Sequence, residues 1–251
     1  MLLDTLAYAS LFLCWGSFLN VVAHRGIASQ SLLPRSACPH CKQQLAWYHL
    51  IPLISWLFLQ GRCSFCAHRI PWLYPFIELL SALIFIALVQ TVPFHYFFAY
   101  FIFFSALIIS IRTDIEHMLL LSFFTLGLVP VGLLASALGY LPITLLESVG
   151  GAIIGGSILW LARYIFWLIK KQEGMGLGDI ELLAGIGSFV GPVGVVMTLL
   201  IGSLSGSLVG LCLLAFQKQT AQLKIPFGAF LAAGAVVYVL WQKQLLALLL
   251  L

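Results

Sequence analysis

Long apolar runs separated by short polar breaks dominate the chain. A membrane-spanning helix needs about 20 mostly apolar residues, and the hydrophobic pattern predicts eight such segments. We therefore expect an all-α polytopic membrane protein with about eight transmembrane helices. The predicted segments are 3–23, 76–92, 96–112, 119–140, 143–169, 180–192, 194–216 and 226–242.

Proline and glycine mark the predicted reversals between several of these segments. They occur in "TVPFH" after the second segment, in "GYLPI" after the fourth and in "VGPVG" after the sixth. The glycine-rich stretches 150–156 and 202–210 predict close packing between helices. The expected organisation is a first transmembrane helix over 1–23, a polar loop over 24–75 and a transmembrane core over 76–251.

Composition supports membrane insertion and changes the interpretation of charge. Hydrophobic residues make up 62% of the chain and charged residues 8%, which is more apolar than the surface of a soluble domain allows. The formal net charge is +4. Because cytoplasmic loops of membrane proteins hold an excess of lysine and arginine, this charge indicates orientation, and we expect no nucleic-acid partner.

The basic residues predict which side of the membrane each loop faces. With the N-terminus outside, eleven of the twelve fall on one side, which is then cytoplasmic, and only Lys243 falls on the other. The first segment has no basic start, so we expect a retained span and not a cleaved signal peptide. The cytoplasmic set is Arg25, Arg35, Lys42, Arg62, Arg69, Arg112, Arg163, Lys170, Lys171, Lys218 and Lys224.

Four cysteines occur in the polar loop as two Cys-x-x-Cys pairs. Cys38 and Cys41 form the first pair, and Cys63 and Cys66 form the second. This arrangement suits tetrahedral zinc, although two disulfides are the alternative. Because the loop is expected in the reducing cytoplasm, we favour zinc. Four thiolates leave the metal no open position, so the predicted zinc site is structural.

Four further residues bear on the metal prediction. His40 and His68 adjoin the cysteine pairs and are alternative ligands, but we favour the interpretation that they contribute to the polarity of the loop. Cys14 and Cys212 stand alone inside apolar segments, and we interpret them as core residues.

Two aspartates border apolar segments on the predicted cytoplasmic side. Asp114 follows the third segment in "SIRTDIEHM", and Asp179 ends "GMGLGD" before the sixth. Taken singly, Asp114 is a solvated boundary residue and Asp179 is a helix N-cap. As a pair, they predict two carboxylates that share a proton, which is the chemistry of aspartic peptidases. The glycines before Asp179 permit positive backbone dihedrals and the close approach of another chain segment.

These motifs together resemble those of the type IV prepilin peptidases, which are polytopic aspartic proteases of the bacterial inner membrane. The resemblance implies that Asp114 and Asp179 are the catalytic pair and that the four loop cysteines bind zinc. The motifs that carry it are, in chain order, "GSFLNVVAHR", "CPHC", "CSFC", "PFIELL", "TDIEHMLL", "GMGLGDIELL" and "PFGAFLA".

The resemblance also implies a substrate and a second activity. Members of the family cleave the basic leader of type IV prepilins and of type II secretion pseudopilins at the cytoplasmic membrane face. Many then methylate the new N-terminus with S-adenosylmethionine. The sequence assigns no residue to that methyl donor. The expected partners are prepilins or pseudopilins and the lipid bilayer.

Three residues depart from the family pattern near the aspartates. Leu121 and Ser122 stand where members commonly have Pro-Asp, and Glu181 stands where they commonly have lysine. An anion two residues after Asp179 requires compensation, and Arg112 is the candidate cation.

Two other functions are consistent with part of the pattern. A membrane ion or proton transporter would explain paired carboxylates, but not the four-cysteine loop. A zinc-dependent membrane protease would need a His-Glu-x-x-His motif, which the sequence lacks. We therefore favour the aspartic peptidase.

Overall fold

A computed structural model describes residues 2–33, 35–172, 174–216 and 225–249, and every regular element in these ranges is helical. Lys218 and Lys224, which contribute to the predicted charge asymmetry, lie outside the described residues. The chain divides into two compact units, Met1–Gln90 and Thr91–Leu251. The predicted all-α fold class is confirmed.

The first unit contains two long apolar helices and the polar loop between them. Its helices are α1 (Leu2–Ile27), α2 (Ile54–Phe58) and α3 (Leu73–Thr91), with a 3-10 turn at Trp47–Leu50. Gly16 permits close packing of α1 on α3, because an added Cβ would lie 2.8 Å from the Cβ of Ser81 and 2.9 Å from the Cα of Glu78. The rings of Phe12 and Phe85 extend this contact, with centroids 5.4 Å apart.

A buried carboxylate connects the polar loop to α3. Glu78, on α3, is 8% exposed, and its Oε2 accepts a hydrogen bond of 2.9 Å from the backbone N–H of Leu53. Leu53 precedes α2 and has a positive φ of 59°. Glu78 therefore stabilises the turn at which α2 begins.

The second unit contains the remaining helices, and α8 packs against four of them. They are α4 (Phe94–His117), α5 (Ser122–Thr125), α6 (Leu128–Ala137), α7 (Leu145–Lys170), α8 (Leu177–Phe216), α9 (Phe227–Leu240) and α10 (Gln242–Leu249). The elements in contact with α8 are α5, α6, α7 and α9.

Glycines bring the backbones of these helices close together. A Cβ at Gly151 or Gly155 of α7 would collide with the carbonyl oxygens of Gly187 and Leu183 on α8. Further along α8, Gly202 lies against the backbone of α9. These contacts confirm that both glycine-rich stretches are packing surfaces.

The long helix α8 bends sharply at Gly191. The φ of 70° and ψ of −178° at this residue are not helical, and only glycine adopts this conformation readily. Asp179 before the bend and Gly202 after it both lie against the first turns of α9. A straight helix would separate them by about 35 Å. The two arms of α8 therefore fold back toward each other at the predicted "VGPVG" reversal.

Five helices in the described ranges are long and apolar enough to cross a membrane, namely α1 from Thr5 onward, α3, α4, α7 and α8. The predicted span 119–140 is divided into the short helices α5 and α6, and the predicted span 226–242 contains the 14-residue α9. Fourteen helical residues cover about 21 Å, which is less than the roughly 30 Å of a bilayer core. The structure thus shows a multi-pass membrane protein, and the predicted count of eight spans is not confirmed.

Candidate active site and metal site

Asp114 lies inside α4. The apolar pattern had placed it beyond the end of the third predicted segment. The helix continues to His117, where Met118 ends it with a left-handed φ of 53° and donates its N–H to the backbone oxygen of Asp114 at 2.9 Å. The side chain of Asp114 is buried, as are Arg112 and Thr113 beside it. The helix extends past the apolar run because these polar residues pack within the second unit.

Asp179 is the third residue of α8, which begins at Leu177, so it does not occupy the N-cap position. None of the three glycines in 174–178 has a positive φ. The positive dihedrals that these glycines permit are therefore not adopted, and close approach explains the glycine that precedes Asp179. A Cβ at Gly178 would lie 2.8 Å from the Cβ of Leu120, in the loop after α4.

The two aspartates converge at the beginning of α9. A Cβ built on Gly228 would lie 3.0 Å from Oδ1 of Asp179 and 3.1 Å from Oδ2 of Asp114. The two carboxylate oxygens are therefore no further apart than the sum of these distances. The backbone N–H of Ala229 donates to Oδ2 of Asp114 at 2.8 Å. The structure thus brings together the predicted pair.

Sequence reasoning gave the residues around Gly228 no part in this site. The available signal was the glycine in "PFGAFLA", because a glycine near the start of an apolar helix often marks a close approach. Here three side chains meet at the position that a Cβ would occupy, since Cδ1 of Leu120 would also lie 2.8 Å away. Gly228 therefore leaves the space in which the carboxylates face each other.

The carboxylate of Glu181 accepts a hydrogen bond from a hydroxyl group and is not paired with the predicted cation. Its Oε2 accepts a hydrogen bond of 2.9 Å from Oγ1 of Thr125, which is fully buried in α5. Arg112, the cation that the sequence suggested, pairs with Glu116 one turn further along α4. The Thr125–Glu181 bond also connects the helix that follows the first aspartate to the helix that carries the second.

The four loop cysteines form one cluster in the first unit. Their sulfur atoms all lie within 4.8 Å of one another, and Sγ of Cys38 is 3.9 Å from Sγ of Cys66. All four are free thiols. Four sulfurs at 2.3 Å from a central zinc ion are separated by about 3.8 Å in a tetrahedron. The cluster therefore fits one tetrahedrally coordinated metal ion.

The two cysteine pairs are built on the same backbone turn. The carbonyl oxygens of Cys38 and Cys63 accept hydrogen bonds from the residues four positions further on, Lys42 at 2.9 Å and Ala67 at 3.0 Å. Lys42 and Ala67 both have left-handed backbones, with φ of 61° and 54°. Each turn points two sulfurs in one direction, so that two turns complete the ligand set.

The electrostatics of the thiols and the placement of two histidines both bear on the ligand set. Hydrogen bonds from the backbone of Phe65 and Cys66 lower the pKa of Cys63 to about 7. Despite a hydrogen bond from the backbone of His68, burial and the neighbouring thiols raise the pKa of Cys66 to about 11, so Cys63 is the member of this pair that favours the thiolate. The imidazole rings of His40 and His68 stack on each other with centroids 4.5 Å apart. Neither ring belongs to the group of side chains that could hold the ion.

The two remaining cysteines lie on helix surfaces. Cys14 on α1 and Cys212 on α8 are exposed, so their interpretation as core residues is wrong. Thiols are only weakly polar, and such positions suit contact with lipid as well as with a protein core.

The fold and the two sites define a helical membrane protein with a four-cysteine cluster that could hold a metal ion and a pair of converging carboxylates. Two family models match this chain. The bacterial peptidase A24 N-terminal domain covers residues 11–92, and the type IV leader peptidase family covers residues 101–211.

Curated relatives agree with these models. The chain is similar to the prepilin leader peptidase/N-methyltransferase of Stutzerimonas stutzeri, with 35% identity over 92% of this chain and 89% of the relative. The protein of that name from Pseudomonas aeruginosa shows 33% identity over 92% and 88%. The type 4 prepilin-like proteins leader peptide-processing enzyme of Escherichia coli O78:H11 shows 35% over 84% and 77%. No solved structure matches. The chain belongs to the type IV leader peptidase family and is an enzyme of that family.

Proposed function

We propose that this enzyme removes the leader peptide of type IV prepilins and type II secretion pseudopilins by aspartic catalysis. Its relatives are named for the processing of prepilin leaders. The observation that carries the proposal is the convergence of Asp114 and Asp179 on Gly228. Family membership gives no support to the alternative of an ion or proton transporter.

The paired carboxylates supply both proton-transfer groups that peptide hydrolysis needs. The ionised carboxylate takes a proton from water, and the resulting nucleophile attacks the scissile carbonyl carbon. The protonated partner donates to the carbonyl oxygen, and the leaving nitrogen receives a proton when the C–N bond breaks. Water is thereby added across one peptide bond. The hydrogen bond from Ala229 orients Asp114 before substrate binds.

The position of the pair suits a substrate that is itself anchored in the membrane. Asp114 lies near the end of the apolar helix α4, and Asp179 lies in the first turn of α8. A prepilin held by its own apolar helix presents its cleavage site at the membrane boundary, which restricts motion and raises effective concentration. The charge distribution supports a site at the cytoplasmic face of the bacterial inner membrane, with a periplasmic N-terminus.

The metal and the methyl donor have separate parts in this proposal. We assign structural zinc to Cys38, Cys41, Cys63 and Cys66, because four sulfur ligands leave no position for water. The relatives are also named N-methyltransferases. The new N-terminal amine is therefore the proposed acceptor of a methyl group from S-adenosylmethionine, and no described residue is assigned to that donor.

Mass spectrometry of a prepilin incubated with the enzyme in lipid tests both activities. We expect loss of the leader, followed by the gain of one methyl group only when S-adenosylmethionine is present. Asp179→Asn should block cleavage. Glu147→Gln is the matched control. Glu147 lies in the capping box with Thr144 at the N-terminal end of α7, and the glutamine side chain keeps an oxygen that accepts the same hydrogen bond.

Each outcome has a defined meaning. Cleavage at the wild-type rate by Asp179→Asn would remove this residue from the mechanism. Cleavage without methylation would retain the peptidase and contradict the second activity. If several prepilins all stay uncleaved by enzyme that is folded and zinc-loaded, the proposed substrate class is contradicted.

A further inference from the structure

A cleft beside the loop that precedes Asp179 has no part in the chemistry described above. Trp160, Arg163, Tyr164, Trp167 and Leu177 line it. The first four residues follow one face of α7, because side chains three and four positions apart are neighbours on a helix. Leu177 is the first residue of α8. The cleft therefore lies between the end of one long apolar helix and the start of the next.

Three aromatic rings form a continuous wall along the α7 side of this cleft. The rings of Trp160 and Tyr164 stack with centroids 5.4 Å apart and planes 4° apart, and those of Tyr164 and Trp167 stack at 6.2 Å. The ammonium group of Lys171 lies 4.6 Å from the centre of the Trp167 ring. All three rings are partly exposed. The wall thus combines open aromatic surface with positive charge.

This combination is typical of a membrane interface. Tryptophan and tyrosine are enriched at the level of lipid headgroups. Arg163 is about 10 Å from the end of α7, a depth at which a long cationic side chain extends toward the headgroups. Lys170 and Lys171 add two positive charges at the end of the same helix. An occupant of the cleft must therefore match both a cationic and an aromatic lining.

We propose that this cleft binds the phosphate-bearing headgroup of an anionic phospholipid. The planar guanidinium of Arg163 suits paired hydrogen bonds to phosphate oxygens, and the two lysines raise the local positive potential. The aromatic wall packs against the glycerol and the first acyl carbons. A zwitterionic headgroup fits less well, because its own cation would face these three positive charges.

Such a lipid would contact the chain segment that positions one proposed catalytic residue. Leu177 in the cleft wall lies two residues before Asp179. At the other end of the segment, Gly174 packs so closely on the ring of Phe166 that a Cβ would collide with it. Because both ends of 174–177 lie against this part of α7, a bound headgroup stabilises the segment leading into α8.

Native mass spectrometry of the full chain in detergent tests the binding. With equimolar phosphatidylglycerol and phosphatidylcholine, we expect preferential retention of phosphatidylglycerol by the wild type. Arg163→Gln should lower that preference by about fivefold. Lys243→Gln removes one exposed positive charge from α10 and is the matched control, for which we expect no change. A double variant, Lys170→Gln with Lys171→Gln, keeps the test valid if Arg163→Gln does not fold.

Three outcomes of this binding assay would overturn the proposal. One is an unchanged preference in folded Arg163→Gln or in the double lysine variant. Another is an equal loss of preference in Lys243→Gln, which would indicate a general effect of charge. The third is displacement of the lipid by excess inorganic phosphate, which would make a free anion the ligand. None of these readouts depends on prepilin cleavage.

Hydrogen exchange tests the effect on the neighbouring segment. In lipid nanodiscs that contain phosphatidylglycerol, backbone amides of residues 174–177 should exchange more slowly than in phosphatidylcholine alone. Arg163→Gln should abolish this difference, and Lys243→Gln should retain it. Equal exchange in the two lipids, despite binding of phosphatidylglycerol, would contradict stabilisation of the segment.

Discussion

The four-cysteine loop and the pair formed by Asp114 and Asp179 bring their functional atoms together over different lengths of chain. Within the loop, two cysteines three residues apart share one backbone turn, and that turn is repeated once. Asp114 and Asp179 instead come from α4 and α8, with three helices between them in sequence, and meet beside α9. The loop therefore depends on local backbone geometry, whereas the pair depends on helix packing.

The two sites also differ in how binding chemistry and folding are connected. Four thiolates attract a cation bound between them, so a bound metal stabilises the folded loop. Two carboxylates facing each other repel when both are ionised, and the packing of three helices must hold them in place. We therefore expect the pair to be sensitive to small changes in packing, and the loop to be sensitive to loss of a ligand.

The largest expected effect is the loss of cleavage on removal of either aspartate. Asp114→Asn and Asp179→Asn should each lower kcat/KM by at least about 10³-fold, because neither residue alone supplies both proton transfers. The double variant should be little worse than either single variant, since the two act as one unit. Cleavage rates measured with a prepilin substrate check this. Multiplicative losses in the double variant would contradict a shared mechanism.

A single methyl group at Gly228 should separate packing from chemistry. Gly228→Ala places a Cβ where Leu120 and both carboxylates now converge, so we expect kcat to fall by about 10²-fold in folded protein. Gly150→Ala is the matched control, because its nearest neighbour would lie 3.6 Å away. Full activity in Gly228→Ala would show that the pair tolerates displacement.

Removal of one sulfur should affect metal content and stability more than the chemical step. We expect Cys63→Ser to reduce zinc from about one ion per chain toward none and to lower the thermal midpoint. Cys212→Ser, at an exposed position outside the cluster, should change neither quantity. Elemental analysis and thermal unfolding in detergent provide the measurements. Full zinc content in Cys63→Ser would contradict the four-sulfur assignment.

The smallest expected effect concerns the hydrogen bond that connects α5 to α8. Thr125→Val leaves the carboxylate of Glu181 without that donor, which costs about 1–3 kcal/mol of stability. We expect kcat to fall only a few fold, because neither residue transfers a proton. Thr125→Ser keeps the hydroxyl and should restore most of the stability. The same loss in Thr125→Ser would indicate that side-chain volume matters more than the bond.

The candidate site was predictable to different degrees in its parts. The four cysteines were identified from their spacing, because a Cys-x-x-Cys turn forms within a few residues. The two aspartates were identified from charge at apolar boundaries and from the family resemblance. The sequence did not indicate that Gly228 and Ala229 complete the pair, or that Thr125 compensates Glu181, because these contacts join residues more than 45 positions apart.

The apolar pattern by itself established a helical membrane protein, the reversal at Gly191 and the packing role of the glycine-rich stretches. These features follow from hydrophobicity and backbone freedom, which are properties of short segments. The division of 119–140 into two short helices, the extension of α4 through Asp114 and the meeting of three side chains at Gly228 were decided by tertiary packing. A helix boundary in this protein depends on what buries its polar residues, and a one-dimensional pattern does not contain that information.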